Sequence, residues 1–305
     1  MSPRRPDADV PPGLLLVDKP GGMTSHDLVA RARRALSVRK VGHAGTLDPM
    51  ATGLLVLGVG AATRLLGHVG GHDKTYAATI RLGQATVTDD REGEVLTTTS
   101  AAHLDDDAVR TALAGQTGPL QQVPSAVSAV KVDGRRSYDR VRAGETVELA
   151  PRSVTVHRLE VHRITRPAPE LVDVEVTVDC TAGTYIRAIA RDAGAVLGVG
   201  GHLTALRRTA SGPFAVAQAG SVEDSAASLL AGGGAGSLGL TEAALLVFPA
   251  RELTAEEARA LRYGQRIAAT GAAGLHAAVG PDGRLAALVA DAGRTARVVV
   301  GFPPR

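Results

Sequence analysis

Three side chains of this chain are equipped for chemistry: Asp48, Tyr76 and Arg187. Asp48 lies in GHAGTLDPMATGLLVLGVG, residues 42–60, between glycines and a proline and just ahead of an apolar run. Gly42 and Gly45 permit backbone angles that other residues resist, and Pro49 fixes its own φ. The spacing predicts a carboxylate held by a stiff turn, although glycine and Asp-Pro are also ordinary turn punctuation. A lone carboxylate without metal partners suits nucleophilic or general-base work on an electrophilic carbon. Tyr76 belongs to a chain with four tyrosines, three phenylalanines and no tryptophan, so rings are not what fills its core. That scarcity sets a functional reading beside the usual one of a half-buried strand tyrosine. Tyr185 and Arg187 fall where a helix begins, a position whose free N–H groups favour anions. Arg187 and Arg191 are four apart, on one face, where arginine can pair with a carboxylate or phosphate or make a plain surface salt bridge. Periodicity alone does not bring the three together.

The elements around them follow from pattern. Residues 13–18 (GLLLVD) read as a strand closed by the turn Lys19-Pro20-Gly21-Gly22, which leaves Lys19 as a surface lysine in preference to a ligand contact. Thr24 and Asp27 form a capping box, and Leu28, Val29, Ala32 and Leu36 follow at helical spacing. Residues 54–57 read as a buried strand, and 74–82, which carries Tyr76, as another. Asp89 and Asp90, in the loop 86–93, lack the spaced oxygens of a calcium loop and read as a solvated turn. A helix is expected over 104–113, then a turn and a strand bearing Lys131. A hairpin-like pair is expected at 154–164 and 171–180, a helix over 181–197 with Gly198 as its stop, and a strand over 202–208. Residues 225–249, with Gly232-Gly233-Gly234, read as a Gly/Ala-rich insertion or linker. A capping box at Thr254 and Glu257 opens a small, mainly β module from about residue 250.

Composition narrows the function. With 305 residues the chain can bury a sizeable core, and 34 basic against 31 acidic residues leave a net charge of +3. Arg4, Arg5, Lys19, Arg31, Arg33, Arg34, Arg39 and Lys40 all precede Asp48, a flank suited to a polyanion or to a solvated helix face. The single cysteine, Cys180, excludes an internal disulfide and argues against a thiolate metal cluster. There is no phosphate-binding Walker loop, no dinucleotide fingerprint, no HExxH and no Gly-x-Ser-x-Gly elbow. Apolar stretches are too short for a membrane span, and residues 1–12 read as a disordered tail without a secretory signal. The cytoplasm is the expected location.

GHAGTLDPMATGLLVLGVGAATR closely resembles the signature of the TruB-type tRNA pseudouridine synthases. GLLLVDKPGGMTSHD, KTYAATIRLGQATVTDD, VPSAVSAVKVDGRRSY, GTYIRAIARDAG and HLTALRRT match in the family's order, across residues 13–215. The resemblance implies an α+β fold: a mixed, largely antiparallel sheet flanked by helices. It implies a catalytic domain over 13–224 and, more loosely, a PUA-like RNA-binding domain over 250–305. The implied activity is isomerisation of uridine to pseudouridine at position 55 in the T loop of tRNA, by base flipping and without a cofactor or metal. Asp48 matches the family's catalytic aspartate, Tyr76 the tyrosine that stacks on the target base, and Arg187 the arginine that pairs with the carboxylate. His43, Tyr185 and Leu206 match residues lining the uridine site, and Lys19, Asp90 and Lys131 match further positions near it. Val127 departs from an aromatic found in many members, and the glycine-rich 225–239 stretch has no counterpart. The implied partner is the tRNA T stem-loop, with no membrane, no obligate protein partner and a monomeric state. A non-catalytic tRNA-binding or folding protein and a guide-RNA-dependent synthase subunit are the competing readings.

Overall fold

A computed structural model describes residues 10–125, 131–132, 135–136 and 149–302. Val127 therefore lies outside the described residues, as do residues 1–9 of the expected tail. Val10 is 1% exposed and packs into the main core, so the tail cannot extend to residue 12 as expected. An apolar side chain beside a hydrophobic sheet gains more from burial than it loses in chain freedom.

The chain opens with β1 (Gly13–Lys19), α1 (Ser25–Leu36), β2 (Val41–His43) and β3 (Thr52–Val59). After α2 (Leu66–Gly70) come β4 (Lys74–Leu82) and the small hairpin β5 (Gln84–Thr86) and β6 (Val95–Thr98). α3 (Asp106–Ala114), β7 (Gly118–Gln122), β8 (Lys131–Val132) and β9 (Arg135–Arg136) lead to the long pair β10 (Arg152–Ala168) and β11 (Leu171–Cys180). α4 (Ile186–Val196), β12 (Gly201–Ser211) and β13 (Phe214–Ala215) follow.

The large sheet runs in the order β14-β1-β3-β12-β4-β11-β10-β7, with β14 described below, β2 paired to β3 and β13 to β12, while β5-β6 and β8-β9 form two separate two-stranded sheets. Only β3 and β12 run parallel, so the sheet is mixed and largely antiparallel, as expected. β1 and β3 are apolar almost without interruption because both their faces are covered, whereas β4 alternates buried and half-buried positions because one face is open. The capping box at Thr24 is formed: its hydroxyl accepts from the Asp27 N–H, and the Asp27 carboxylate accepts from the Thr24 N–H.

The expected linker at 225–249 is instead ordered secondary structure. It contains most of α5 (Val222–Leu230), then β14 (Ser237–Gly239), which pairs antiparallel with β1, then α6 (Leu240–Val247). Ser221 caps α5, and Val222, Ala226 and Leu229 bury one face of it against the core, so a weakly apolar composition still yields a helix stripe. The second sheet runs β15-β17-β18-β19-β16, from β15 (Ala250–Glu252), β16 (Ile267–Ala268), β17 (Leu275–Val279), β18 (Leu285–Ala292) and β19 (Thr295–Gly301). α7 (Ala255–Arg262) packs on it, with its own capping box at Thr254.

Candidate active site

Asp48 stands at the tip of the connection from β2 to β3, and three neighbours fix that connection. The Ser25 hydroxyl accepts from the Leu47 N–H at 2.9 Å and donates to the Leu47 carbonyl at 3.1 Å. Gly45 has φ +88°, which only glycine adopts freely, whereas Gly42 sits in β2, where a Cβ would meet the end of the Leu66 side chain at 3.0 Å. The Lys19 ammonium donates to the carbonyls of Pro20 (2.9 Å), Met23 (2.6 Å) and Pro49 (3.1 Å). Lys19 is thus fully buried beneath the Asp48 turn and is not the surface lysine its strand-end position suggested. Three carbonyls converging in a buried turn need a donor, and only a long cationic side chain supplies three N–H groups from one atom. Burial lowers its ammonium to about 8, against the pull of Glu92, Asp48 and Asp27.

Arg187 reaches the carboxylate from the first turn of α4. Its Nε lies 3.0 Å from Asp48 Oδ2. Its Nη1 donates to the Thr88 carbonyl at 2.7 Å and lies 3.5 Å from Asp90 Oδ2. One buried guanidinium is therefore shared between two carboxylates. Asp90 is 2% exposed and accepts from the Thr88 hydroxyl (2.6 Å) and the Glu92 N–H (3.0 Å), while Asp89 pairs with Arg191 at 3.3 Å. The solvated-turn reading of Asp89-Asp90 is overturned, because Arg187 and Arg191 on one face of α4 draw both carboxylates inward. Burial raises the Asp48 carboxyl above the ordinary range, opposed first by Arg187; Asp90 adds to the rise and Lys19 opposes it.

A cavity of about 320 Å³ opens over this pair, and Asp48, Tyr76, Tyr185, Arg187 and Leu206 all line it. Tyr76 projects from the buried side of β4, and burial raises its phenol, with the Arg208 guanidinium opposing. Among the lining residues that escaped the reading of the sequence are two buried cations, Arg208 and Lys74. Arg208, on β12, is buried and donates from Nε to the Leu54 carbonyl (2.7 Å) and from Nη2 to the Gly45 carbonyl (3.2 Å). Lys74 donates to the carbonyls of Gly70 (2.9 Å) and His72 (2.6 Å). Their only signal in the sequence was a cation at a strand end, which surface residues share. The remaining expected residues lie off the lining: Lys19 beneath it, Asp90 behind Arg187, and His43 edge-on to His26 with ring centroids 5.3 Å apart. Lys131 lies on β8, and its side chain is outside the described residues. Among the described residues no cluster of His, Cys, Asp or Glu could hold a metal, and no helix is long and apolar enough to cross a membrane.

The family described as TruB family pseudouridylate synthase (N terminal domain) matches residues 33–186. The tRNA pseudouridylate synthase B C-terminal domain matches 187–232, and tRNA pseudouridine synthase II, C terminal, matches 248–303. The chain is 55% identical over 302 residues to tRNA pseudouridine synthase B of Paenarthrobacter aurescens, covering 96% of this chain and 95% of that protein. It is 52% identical over 309 residues to the protein of the same name from Mycobacterium leprae, covering 99% of this chain and 95% of that protein. A solved Cbf5-Nop10-Gar1 complex contains a chain of similar fold, with TM-score 0.72 and 26% identity over 99% of this chain and 88% of that chain.

Proposed function

Because the chain belongs to the TruB family of pseudouridylate synthases, we propose that it isomerises uridine 55 in the T loop of tRNA, with Asp48 as catalytic carboxylate. It is an isomerase acting on tRNA, in keeping with relatives named tRNA pseudouridine synthase B. The observation that carries the assignment of Asp48 is its 3.0 Å pairing with Arg187 on the wall of a cavity of nucleoside dimensions.

A uracil stacked inside a loop must first be extruded, at a cost of a few kcal/mol. Tyr76 lines the cavity, and stacking of the base on its ring offsets roughly 1–3 kcal/mol of that cost. The C1′–N1 bond then breaks, the uracil turns, C5 bonds to C1′, and the proton lost from C5 is matched by one gained at N1. No atom is gained or lost, and no hydride, phosphoryl group or electron changes hands, so the reaction calls for no cofactor. Asp48 must be ionised to act on the nucleotide, and burial works against that state. Arg187 supplies the opposing charge at 3.0 Å, so the pair keeps an anion available on the cavity wall. Tyr185 and Leu206 line the same cavity. The enzyme acts on bare tRNA in the cytoplasm, as a monomer and without a guide.

The likeness to the Cbf5 chain gives the guide-dependent reading its one support. Incubating the purified chain with an unmodified tRNA transcript and mapping pseudouridine decides between them. Product at position 55, absent with Asp48→Asn while tRNA still binds, is the expected result. A silent wild-type chain on bare transcript overturns the proposal, and undiminished product with Asp48→Asn removes Asp48 from it.

A further inference from the structure

Gln122 closes β7 with its side chain buried, 3% exposed, and turned away from that strand's own ladder. Its amide grips the backbone of one residue on both sides. Oε1 accepts from the Tyr185 N–H at 2.7 Å, and Nε2 donates to the Tyr185 carbonyl at 3.0 Å. The pairing fixes which way the amide points, since the flipped orientation would face donor to donor and acceptor to acceptor.

Tyr185 is the N-cap of α4 and has no side-chain cap of its own, because a phenol cannot fold back onto the first turn. The segment before it, Thr181 to Thr184, is a turn containing Gly183 at φ +89°, with open space around it. The start of α4 therefore depends on Gln122, which lies 63 residues away in sequence. Two residues beyond the clasp, Arg187 reaches Asp48, and Tyr185 itself lines the cavity. A helix start free to shift by a few tenths of an ångström would carry both away from the reacting nucleotide, and such misplacement costs rate even when every catalytic group is present.

We propose that Gln122 is a positioning residue, clasping the Tyr185 backbone so that Tyr185 and Arg187 stay registered on the Asp48 loop; this rests on the activity proposed above. It touches neither the carboxylate nor the cavity, so it acts through α4. The charged and titratable groups that act on Asp48 are Arg187 from α4, Asp90 and Glu92 from the loop after β5, Lys19 from β1 and Tyr76 from β4, and Tyr185, Lys74 and Arg208 line the same cavity. Of these, Arg187 and Tyr185 are placed by the clasp, and only Arg187 carries a charge.

The test is single-turnover pseudouridine formation on a T stem-loop RNA, followed from mildly acid to mildly alkaline pH. Gln122→Met keeps the length and removes both hydrogen bonds; Gln122→Glu keeps the acceptor for the Tyr185 N–H. In Gln122→Met, turnover falls by roughly tenfold or more while RNA affinity stays within about threefold, the signature of lost orientation. Its acid limb also moves to higher pH, because a loosened Arg187 no longer helps keep Asp48 ionised. Gln122→Glu shows the same displacement to a smaller extent, and supplies the measurement should the methionine variant not fold. Gln121→Ala, one residue earlier on the exposed side of β7, behaves as wild type. A wild-type rate in either Gln122 variant overturns the proposal, and so does a loss that is equal at every pH. Failure of the wild-type chain to make pseudouridine strikes the assigned activity instead, so the two failures are told apart.

Discussion

Asp48 carries opposite consequences for activity and for stability. Its carboxyl is raised by burial despite Arg187, so the folded state holds its proton more tightly than the unfolded chain does. Stability from this group is then full below the ordinary carboxylate range and falls as pH rises through the raised value. Asp48→Asn should therefore abolish turnover yet unfold at or above the wild-type temperature at neutral pH, with the gap closing in acid. Thermal melts of both proteins across that range provide the check, and a variant less stable at neutral than at acid pH, relative to wild type, contradicts it. Lys19 works in the alkaline direction. Its ammonium is lowered to about 8, so between that value and the ordinary lysine value of 10.5 the unfolded chain binds the extra proton and stability rises with pH. Lys19→Met should lack that rise and, having lost donors to three buried carbonyls, lose about 1.5–3 kcal/mol at neutral pH. Urea unfolding at a series of pH values measures both effects. Asp48, Tyr76 and Arg187 were legible as candidates because each residue type is suited to the chemistry. Lys19, Asp90 and Arg208 were not legible as buried, because burial there depends on carbonyls and carboxylates brought in from other elements.

At the scale of elements, local signals were the reliable ones. Thr24 with Asp27 and Thr254 with Glu257 both cap helices, and the alternation over 74–82 marks β4. The glycine-rich 225–239 stretch was misread because its order comes from a distance: Ser237–Gly239 is a strand only by virtue of β1 beside it. Contacts between elements also set demands that a single residue cannot announce. Gly53 lies in the parallel pairing of β3 with β12, opposite Arg208, at φ +96°. A Cβ there would stand 2.2 Å from the Arg208 carbonyl oxygen. Gly53→Ala must therefore push β3 from β12 and disturb the residue that ties the Gly45 carbonyl to the cavity wall. The expected cost is roughly 3 kcal/mol, the upper end for overpacking, made worse by the strained backbone. Chemical denaturation gives the value, and a loss below about 1 kcal/mol would mean that the strands part more easily than their register implies.

In the whole molecule the two sheets are not independent bodies. Leu14 and Leu16 of β1 and Leu54 and Val56 of β3 turn one face of the large sheet into a second core, and Ala277, Leu285, Leu288 and Phe302 of the C-terminal part are buried in that same cluster. Arg64 donates to the Gly301 carbonyl and the Thr241 hydroxyl accepts from the Leu285 N–H at 2.9 Å, so polar groups also cross between the two. A mainly β module at the C-terminus was legible from three short apolar runs; its shared core was not, since an apolar residue in a strand does not declare which layer will cover it. The consequence is a dependence that runs against a simple catalytic-plus-binding division. A chain ended after Pro249 would leave Phe214, Ala243, Ala244 and the β1–β3 face without their covering residues, a contiguous apolar surface of the kind that drives association. That truncated chain should aggregate, or unfold well below the full-length protein, before any loss of RNA contacts can be assessed. Thermal unfolding and light scattering on the two proteins decide it. If the shortened chain stays monodisperse and melts where the full chain does, the C-terminal sheet is not needed to cover the core. If it fails as expected, reduced activity in such truncations reports a broken core, and whether the module recognises RNA has to be measured with surface substitutions in the intact chain.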